Sequence, residues 1–260
     1  SFQLISMRKS PDVAVVTNVA PNHLDVHKDM DEYVESKKNI ILHQNAFSRT
    51  VLNRDNEITQ GFKKYARGQS LSFSMTEPLK NGAWLDSDGT IHMTYRGIDA
   101  PIMHRDDIAI LGDHNVENYL AAIAAVWGFA GMDSIKKVAK EFMGVEHRIE
   151  FVRELEGVKY YNSSIDSSPS RTNACLESFK DKVIAISGGY DKNIPYAPLG
   201  ELFVRKVKYA VLCGATAEKI ATELDKVGFT SYCIVNDFNS AVELAREKAR
   251  IGDNVVLTPA

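Results

Sequence analysis

The sequence has little of what would tie it to several large protein classes. Its 260 residues hold three cysteines, Cys175, Cys213 and Cys233, and no two stand in a CxxC pair. An odd number without that spacing supports neither a zinc site nor a disulfide framework, so all three are expected to be reduced and mostly buried. No apolar run approaches the roughly 20 residues a membrane-spanning helix needs, and the opening SFQLISMRKS lacks the apolar core of a signal peptide. A cytoplasmic chain with no membrane insertion is expected. Excess positive charge is missing too: 31 Lys and Arg against 34 Asp and Glu leave a formal net charge of -3, with the lysines dispersed among acids. That balance offers no basic field and speaks against nucleic acid as a partner. Repeats and low-complexity segments are absent.

What is present is α/β texture in two parts. Hydrophobic residues make up 44% of the chain, enough for real cores, and the length suits two domains of roughly 100 to 200 residues. DVAVVTNV (12–19) is a continuous apolar run of the kind a strand buried in a parallel sheet shows. A helix is expected from Met30 to about His43, strands at RTVLN and SLSFSM, and a hairpin turning at Asp88-Gly89. The alanine-rich HNVENYLAAIAAVWGFAG reads as a helix closed by Gly128 and Gly131, and DSIKKVAKEF as another with Asp133 as its N-cap. After GVEHR the pattern changes to a hairpin, IEFVRELEGVKYY, and then to regular strand and helix alternation through NVVLTP. That alternation predicts a doubly wound, Rossmann-like domain. The boundary is placed near Glu146, giving domains 1–146 and 147–260. The start within an apparent strand, without an initiator Met, and the stop after LTPA lead to the expectation of a fragment.

Five polar stretches are candidates for chemistry. His23 and Asp25 follow the buried strand, where α/β sites lie, although loop residues of these types are also commonly solvated. Asn115 and Asn118, at i and i+3 on the alanine-rich helix, suit an adenine edge, with a plain N-cap as the alternative for Asn115. Arg148 at the domain junction suits a phosphate as well as it suits solvent. Gly188 and Gly189, followed by Asp191 and Lys192, close a buried strand, where they make either a bare turn or an anion subsite. The fifth stretch, SSIDSSPSRT (163–172), crowds hydroxyls around one carboxylate and one arginine.

The order of SFQL, TNVAPNHLD, YVESK, GDHNVEN, EHRIEFV, YYNSSIDSSPSRT, ISGGYDKNIPY and LTPA resembles the Mur ligase family from end to end, and within it the members that add D-glutamate. The resemblance implies a partial central ATPase domain followed by a Rossmann-like amino-acid-binding domain. It also implies ATP-dependent ligation of D-glutamate to UDP-N-acetylmuramoyl-L-alanine through an acyl phosphate, with Mg2+ as cofactor and a monomer expected. His23 and a carbamylated Lys37 then match the family's metal ligands, although periodicity alone does not separate Lys37 from Lys38. A carbamate would supply the hard oxygen that magnesium prefers. Asn115 and Asn118 match its adenine contacts, Arg148 the arginine that reaches the ATP phosphates on domain closure, and Lys192 and Ser167 its contacts to the D-glutamate carboxylate.

Two departures stand out. Relatives carry an acid that contacts the ATP ribose region where Ser163 stands, and a small residue where Asp166 stands; the resemblance then implies that Ser163 contacts the nucleotide there through a weaker hydrogen bond than a carboxylate makes, with Asp166 close by. No G-x-x-x-x-G-K-[ST] phosphate loop occurs in these residues, so the chain alone is expected to be inactive. Other Mur ligases, folylpolyglutamate synthase and a non-catalytic nucleotide-binding paralogue are the alternatives.

Overall fold

A computed structural model describes residues 2–19, 28–192 and 194–260. It divides into two compact units, the first of residues 1–109 and 113–142, the second of residues 110–112 and 143–260. The first unit runs β1 (Val13–Val16), α1 (Met30–Leu42), β2 (Arg49–Asn53), α2 (Glu57–Gly61), β3 (Gln69–Ser74), β4 (Gly82–Leu85), β5 (Thr90–Tyr95), β6 (Ile98–His104), α3 (Asp113–Val126) and α4 (Met132–Glu141). Its sheet has the order β1-β2-β3-β4-β5-β6, parallel from β1 to β4 and antiparallel from β4 to β6.

Local chemistry explains the helix ends. Asp29 caps α1 by accepting the Glu32 N–H at 2.8 Å, while the Glu32 carboxylate reaches back to the Lys28 N–H at 2.7 Å, so two donors a helix start leaves over are satisfied. Below the cap, Tyr33 and Ile41 sink into a cluster with Ala14, Val16, Leu52 and Phe62. At the far end of α3, Arg49 Nη1 donates to the carbonyls of Ala125 and Trp127, both at 2.8 Å, and its guanidinium stacks over Phe129. The helix terminus is thereby tied to β2.

The second unit runs β7 (Glu150–Leu155), β8 (Val158–Asn162), α5 (Pro169–Glu177), β9 (Val183–Ser187), α6 (Pro198–Lys206), β10 (Val207–Leu212), α7 (Ala217–Lys226), β11 (Tyr232–Ile234), α8 (Phe238–Lys248) and β12 (Asn254–Leu257). The sheet order is β11-β10-β9-β12-β8-β7, parallel except for the edge strand β7. Strand β9 is buried at all five positions. Its Val183 and Ala185 join Phe203, Leu199 and Ile220 on one face, and its Ile184 and Ile186 join Ala241 and Ala245 on the other, as the alternation of strand side chains demands. Each such large aliphatic side chain contributes roughly 1.5–3 kcal/mol on burial. The β7–β8 hairpin turns at Glu156 and Gly157, both at positive φ, the requirement of a two-residue type I′ turn.

Several expectations need correction. The strand expected over 12–19 ends at Val16, because the Thr17 carbonyl turns to accept the Asn53 side-chain amide at 2.8 Å. The N-cap of α4 is Gly131 without a side-chain cap, and Asp133 lies inside the first turn, where its charge still faces the free N–H groups. Asn115 is the third residue of α3, so the N-cap alternative falls away. The short α2 and the strand β6 went unanticipated. β6 is an edge strand carrying Pro101, with Ile98 72% exposed, so it lacks the apolar alternation a buried strand displays. The α/β reading and the doubly wound second unit agree with the structure.

Candidate active-site residues

In the second unit β12 lies between β8 and β9, so three adjacent strands deliver their C-terminal ends to one edge at the topological switch point, where parallel sheets gather ligands. Three segments meet there: Ser163–Ser168, Gly188–Lys192 and Thr258–Ala260. Backbone bonds lace them together, with Ser163 N donating to Leu257 O at 2.8 Å, Gly188 N to Pro259 O at 2.7 Å and Ala260 N to Asp166 O at 2.8 Å. Buried hydroxyls extend the lacing, Ser187 Oγ donating to Thr258 O at 2.7 Å and Thr258 Oγ1 to Thr172 Oγ1 at 3.0 Å. Gly188 is required here: at φ +104 a Cβ would stand 2.1 Å from the Cys213 carbonyl oxygen.

The structure brings Lys192 and Ser167 together. Lys192 Nζ donates to Ser167 Oγ at 2.6 Å from an exposed position. Its neighbour Asp191 pairs with Lys219 of α7, so the two adjacent charges serve different partners. An ammonium beside a hydroxyl at a strand edge suits a carboxylate. Arg148 is exposed just ahead of β7, with the Asp166 carboxylate near enough for the two charges to interact.

Ser163 does not face solvent. It is fully buried: its hydroxyl donates to Asp166 Oδ2 at 2.5 Å and accepts the Ile149 N–H at 3.0 Å. With its proton committed inside the protein, it is not placed to touch a nucleotide as the sequence suggested. Asp166 is 7% exposed, and burial pushes its carboxyl above the ordinary aspartate range, against the opposing influence of Ser163, Cys175, Arg171 and Arg148. Burial also pushes the Cys175 thiol up to about 12.

In the first unit the polar residues gather at the C-terminal ends of β1 and β2. Asn53 is 2% exposed and donates from one amide nitrogen to Thr17 O at 2.8 Å and to Glu117 Oε1 at 2.6 Å. Glu117 lies on α3 between Asn115 and Asn118, whose side chains meet at 3.3 Å. Burial raises the Glu117 carboxyl, the Asn53 hydrogen bond opposes the shift and the charge of Asp55 adds to it. Sequence reading passed over Asn53 and Glu117. The signal available was a polar residue ending an apolar strand and a carboxylate one turn into an otherwise alanine-rich helix.

The two candidate lysines now separate. Lys38 pairs with Glu35 and lies over the rings of Phe62 and Tyr65, whereas Lys37 packs its amine over the Tyr33 ring at 4.9 Å with no carboxylate partner among the described residues. His23 and Asp25 lie outside the described residues, among which no group of three His, Cys, Asp or Glu side chains converges on a metal position.

Both units are therefore α/β folds that present polar groups at the C-terminal ends of parallel strands, the architecture of ligand-binding α/β proteins. The Mur ligase middle domain matches residues 3–126, and the Mur ligase glutamate ligase domain matches residues 147–260. The chain belongs to the Mur ligase family. Over its whole length it is 52% identical to a UDP-N-acetylmuramoylalanine–D-glutamate ligase of Acetivibrio thermocellus, 47% to one of Ruminiclostridium cellulolyticum and 48% to one of Clostridium acetobutylicum. It spans 57% of the length of each of these relatives. Among solved structures, MurF of Acinetobacter baumannii superimposes with a TM-score of 0.74 at 15% identity, over 96% of this chain and 57% of that one. MurC of Thermotoga maritima gives 0.69 at 15% identity, over 95% and 56%. At such identities the likeness is one of fold.

Proposed function

We propose that this chain supplies the middle and C-terminal parts of a ligase that joins D-glutamate to UDP-N-acetylmuramoyl-L-alanine at the expense of ATP. The observation that carries the reading is the match of about half of all residues, along the entire chain, to ligases of that name. The Lys192–Ser167 pair supports it, because a cation and a hydroxyl 2.6 Å apart form a receptor for the side-chain carboxylate of D-glutamate.

In this reading Lys192 donates charge-assisted hydrogen bonds to that carboxylate and Ser167 fixes its orientation, leaving the amine free to attack. Asn115 and Asn118 read the adenine edge, each offering a donor and an acceptor. Arg148 holds ATP phosphate oxygens with its planar fork. Lys37, as its carbamate, and His23 would hold Mg2+. When bound, that ion neutralises charge on the transferring phosphoryl group. The substrate carboxylate is activated as an acyl phosphate, the D-glutamate amine displaces phosphate, and the products are the amide, ADP and phosphate. A cytoplasmic monomer is the setting proposed. Among the described residues no helix is long and apolar enough to cross a membrane.

The test is ADP release by the complete ligase polypeptide with UDP-N-acetylmuramoyl-L-alanine, magnesium and bicarbonate, comparing D-glutamate with L-glutamate, L-lysine and diaminopimelate. Release that depends on D-glutamate supports the reading. Release with a different amino acid, or none despite measurable ATP binding, overturns it.

A further inference from the structure

The backbone on either side of Arg148 is held in an unfavourable conformation. His147 has φ 66 and Ile149 has φ 48, and a β-branched residue at positive φ is a genuine outlier that persists only where its surroundings over-determine it. The surroundings here are specific. His147 N donates to Glu150 Oε2 at 2.9 Å, Ile165 N donates to His147 O at 3.2 Å, and Ile149 N donates to Ser163 Oγ at 3.0 Å. The last of these is the buried one. Ser163 can offer that lone pair in a fixed direction because its single proton is committed to Asp166 Oδ2 at 2.5 Å.

Asp166 in turn adjoins the other polar group of this edge along the chain. It immediately precedes Ser167, the partner of Lys192, and its own carbonyl accepts from Ala260 N at 2.8 Å. A carboxylate 7% exposed is an expensive way to tie a loop, and among the described residues no ion pair with it closes within 4 Å. Its charge is balanced at longer range by Arg148 and Arg171, with the Cys175 thiol beside it. A buried carboxylate held by one directed hydrogen bond fixes the loop it sits in at a cost in local stability.

We propose that Ser163 and Asp166 form a buried positioning pair which holds Arg148 at one end and the Ser167–Lys192 pair at the other in the geometry the reaction needs. The proposal rests on the function proposed above. It makes Ser163 a positioning residue, in place of a nucleotide contact.

The test is steady-state kinetics on the complete ligase polypeptide, varying ATP and D-glutamate separately, with circular dichroism melts to keep every assay below unfolding. Asp166→Ala, which leaves the Ser163 proton without an acceptor, is expected to lose about tenfold or more in kcat/KM, the scale of a hydrogen bond to a charged group. KM should rise for both ATP and D-glutamate, since both ends of the device are released. Asp166→Asn, which keeps an acceptor, should recover most of that loss. Ser163→Asp alone places two carboxylates against each other and should be the worst single variant. Combined with Asp166→Ser it re-forms the side-chain bond with donor and acceptor exchanged, leaves a carboxylate oxygen to accept the Ile149 N–H, and should return to within about threefold of the parent. Melting shifts with unchanged KM values would overturn the proposal, as would a double variant no better than Ser163→Asp. Parent enzyme with no D-glutamate-dependent turnover would instead overturn the proposed function, so the two failures are distinguishable.

Discussion

Replacing Gly188 by Ala should damage the second unit, and replacing Gly189 by Ala should not, although the two are adjacent. A methyl on residue 188 would stand 2.1 Å from the Cys213 carbonyl oxygen and 3.1 Å from its carbon, on a backbone at φ +104. The carbonyl cannot retreat freely, because Cys213 N is bonded to Ser187 O at 3.0 Å and Gly188 N to Pro259 O at 2.7 Å. The backbone conformation costs about 1–2 kcal/mol for a residue with a Cβ. Displacing the facing strand end adds to that, for a total of about 3 kcal/mol, a large single-site effect. At a urea m-value of about 2 kcal/mol per molar, the midpoint should fall by about 1.5 M. Among the described residues a methyl on residue 189 meets only Pro259 Cβ, at 3.8 Å, outside the positive-φ region. Ala there should stay within about 0.5 kcal/mol of the parent, because the entropy it removes from the unfolded chain offsets small strain. Urea unfolding by far-UV circular dichroism measures both variants. Tryptophan fluorescence reports the first unit alone, since Trp84 and Trp127 are the two tryptophans of the chain. Equal midpoints for the two variants would refute the close-approach argument.

Three further outcomes are expected. Lys192→Met should raise the KM for D-glutamate by about tenfold or more, the worth of a charge-assisted hydrogen bond, with little change in the KM for ATP. Cys175 and Cys213 are buried with thiols pushed upward, Cys175 to about 12, while Cys233 is partly exposed, so a thiol reagent on the native chain should consume one fast equivalent, abolished by Cys233→Ser. For Glu117, burial raises the folded-state pKa above the unfolded value of about 4.3. The folded state therefore binds the proton more tightly, and stability falls as pH rises from that value through the folded pKa. Glu117→Gln keeps an acceptor for Asn53 and should remove that contribution, so that the melting temperature at pH 7 rises relative to that at pH 4 when compared with the parent; an unchanged difference between the two pH values would refute the assignment.

Helix and strand identity were legible wherever one pattern ran long enough. The continuous apolar run of β9 and the i, i+3, i+4 spacing of α3 each dictated an element whose burial follows directly. What failed was short or set by partners at a distance. The end of β1 is decided by Asn53, 36 residues away, and β6 is an edge whose side chains alternate poorly. Lys37 and Lys38 look alike to any helical periodicity; Glu35, Phe62 and Tyr65 distinguish them by occupying one of the two. Order of motifs, local propensity and apolar spacing lie in the linear chain, and from these came the α/β class, the two-part organisation and the family. The burial of Ser163, its bond to Asp166 and the union of Lys192 with Ser167 across 25 residues were decided by tertiary structure alone. A hydroxyl's role depends on which groups exclude water from it, and that is settled only when β8, β9 and β12 come to lie side by side.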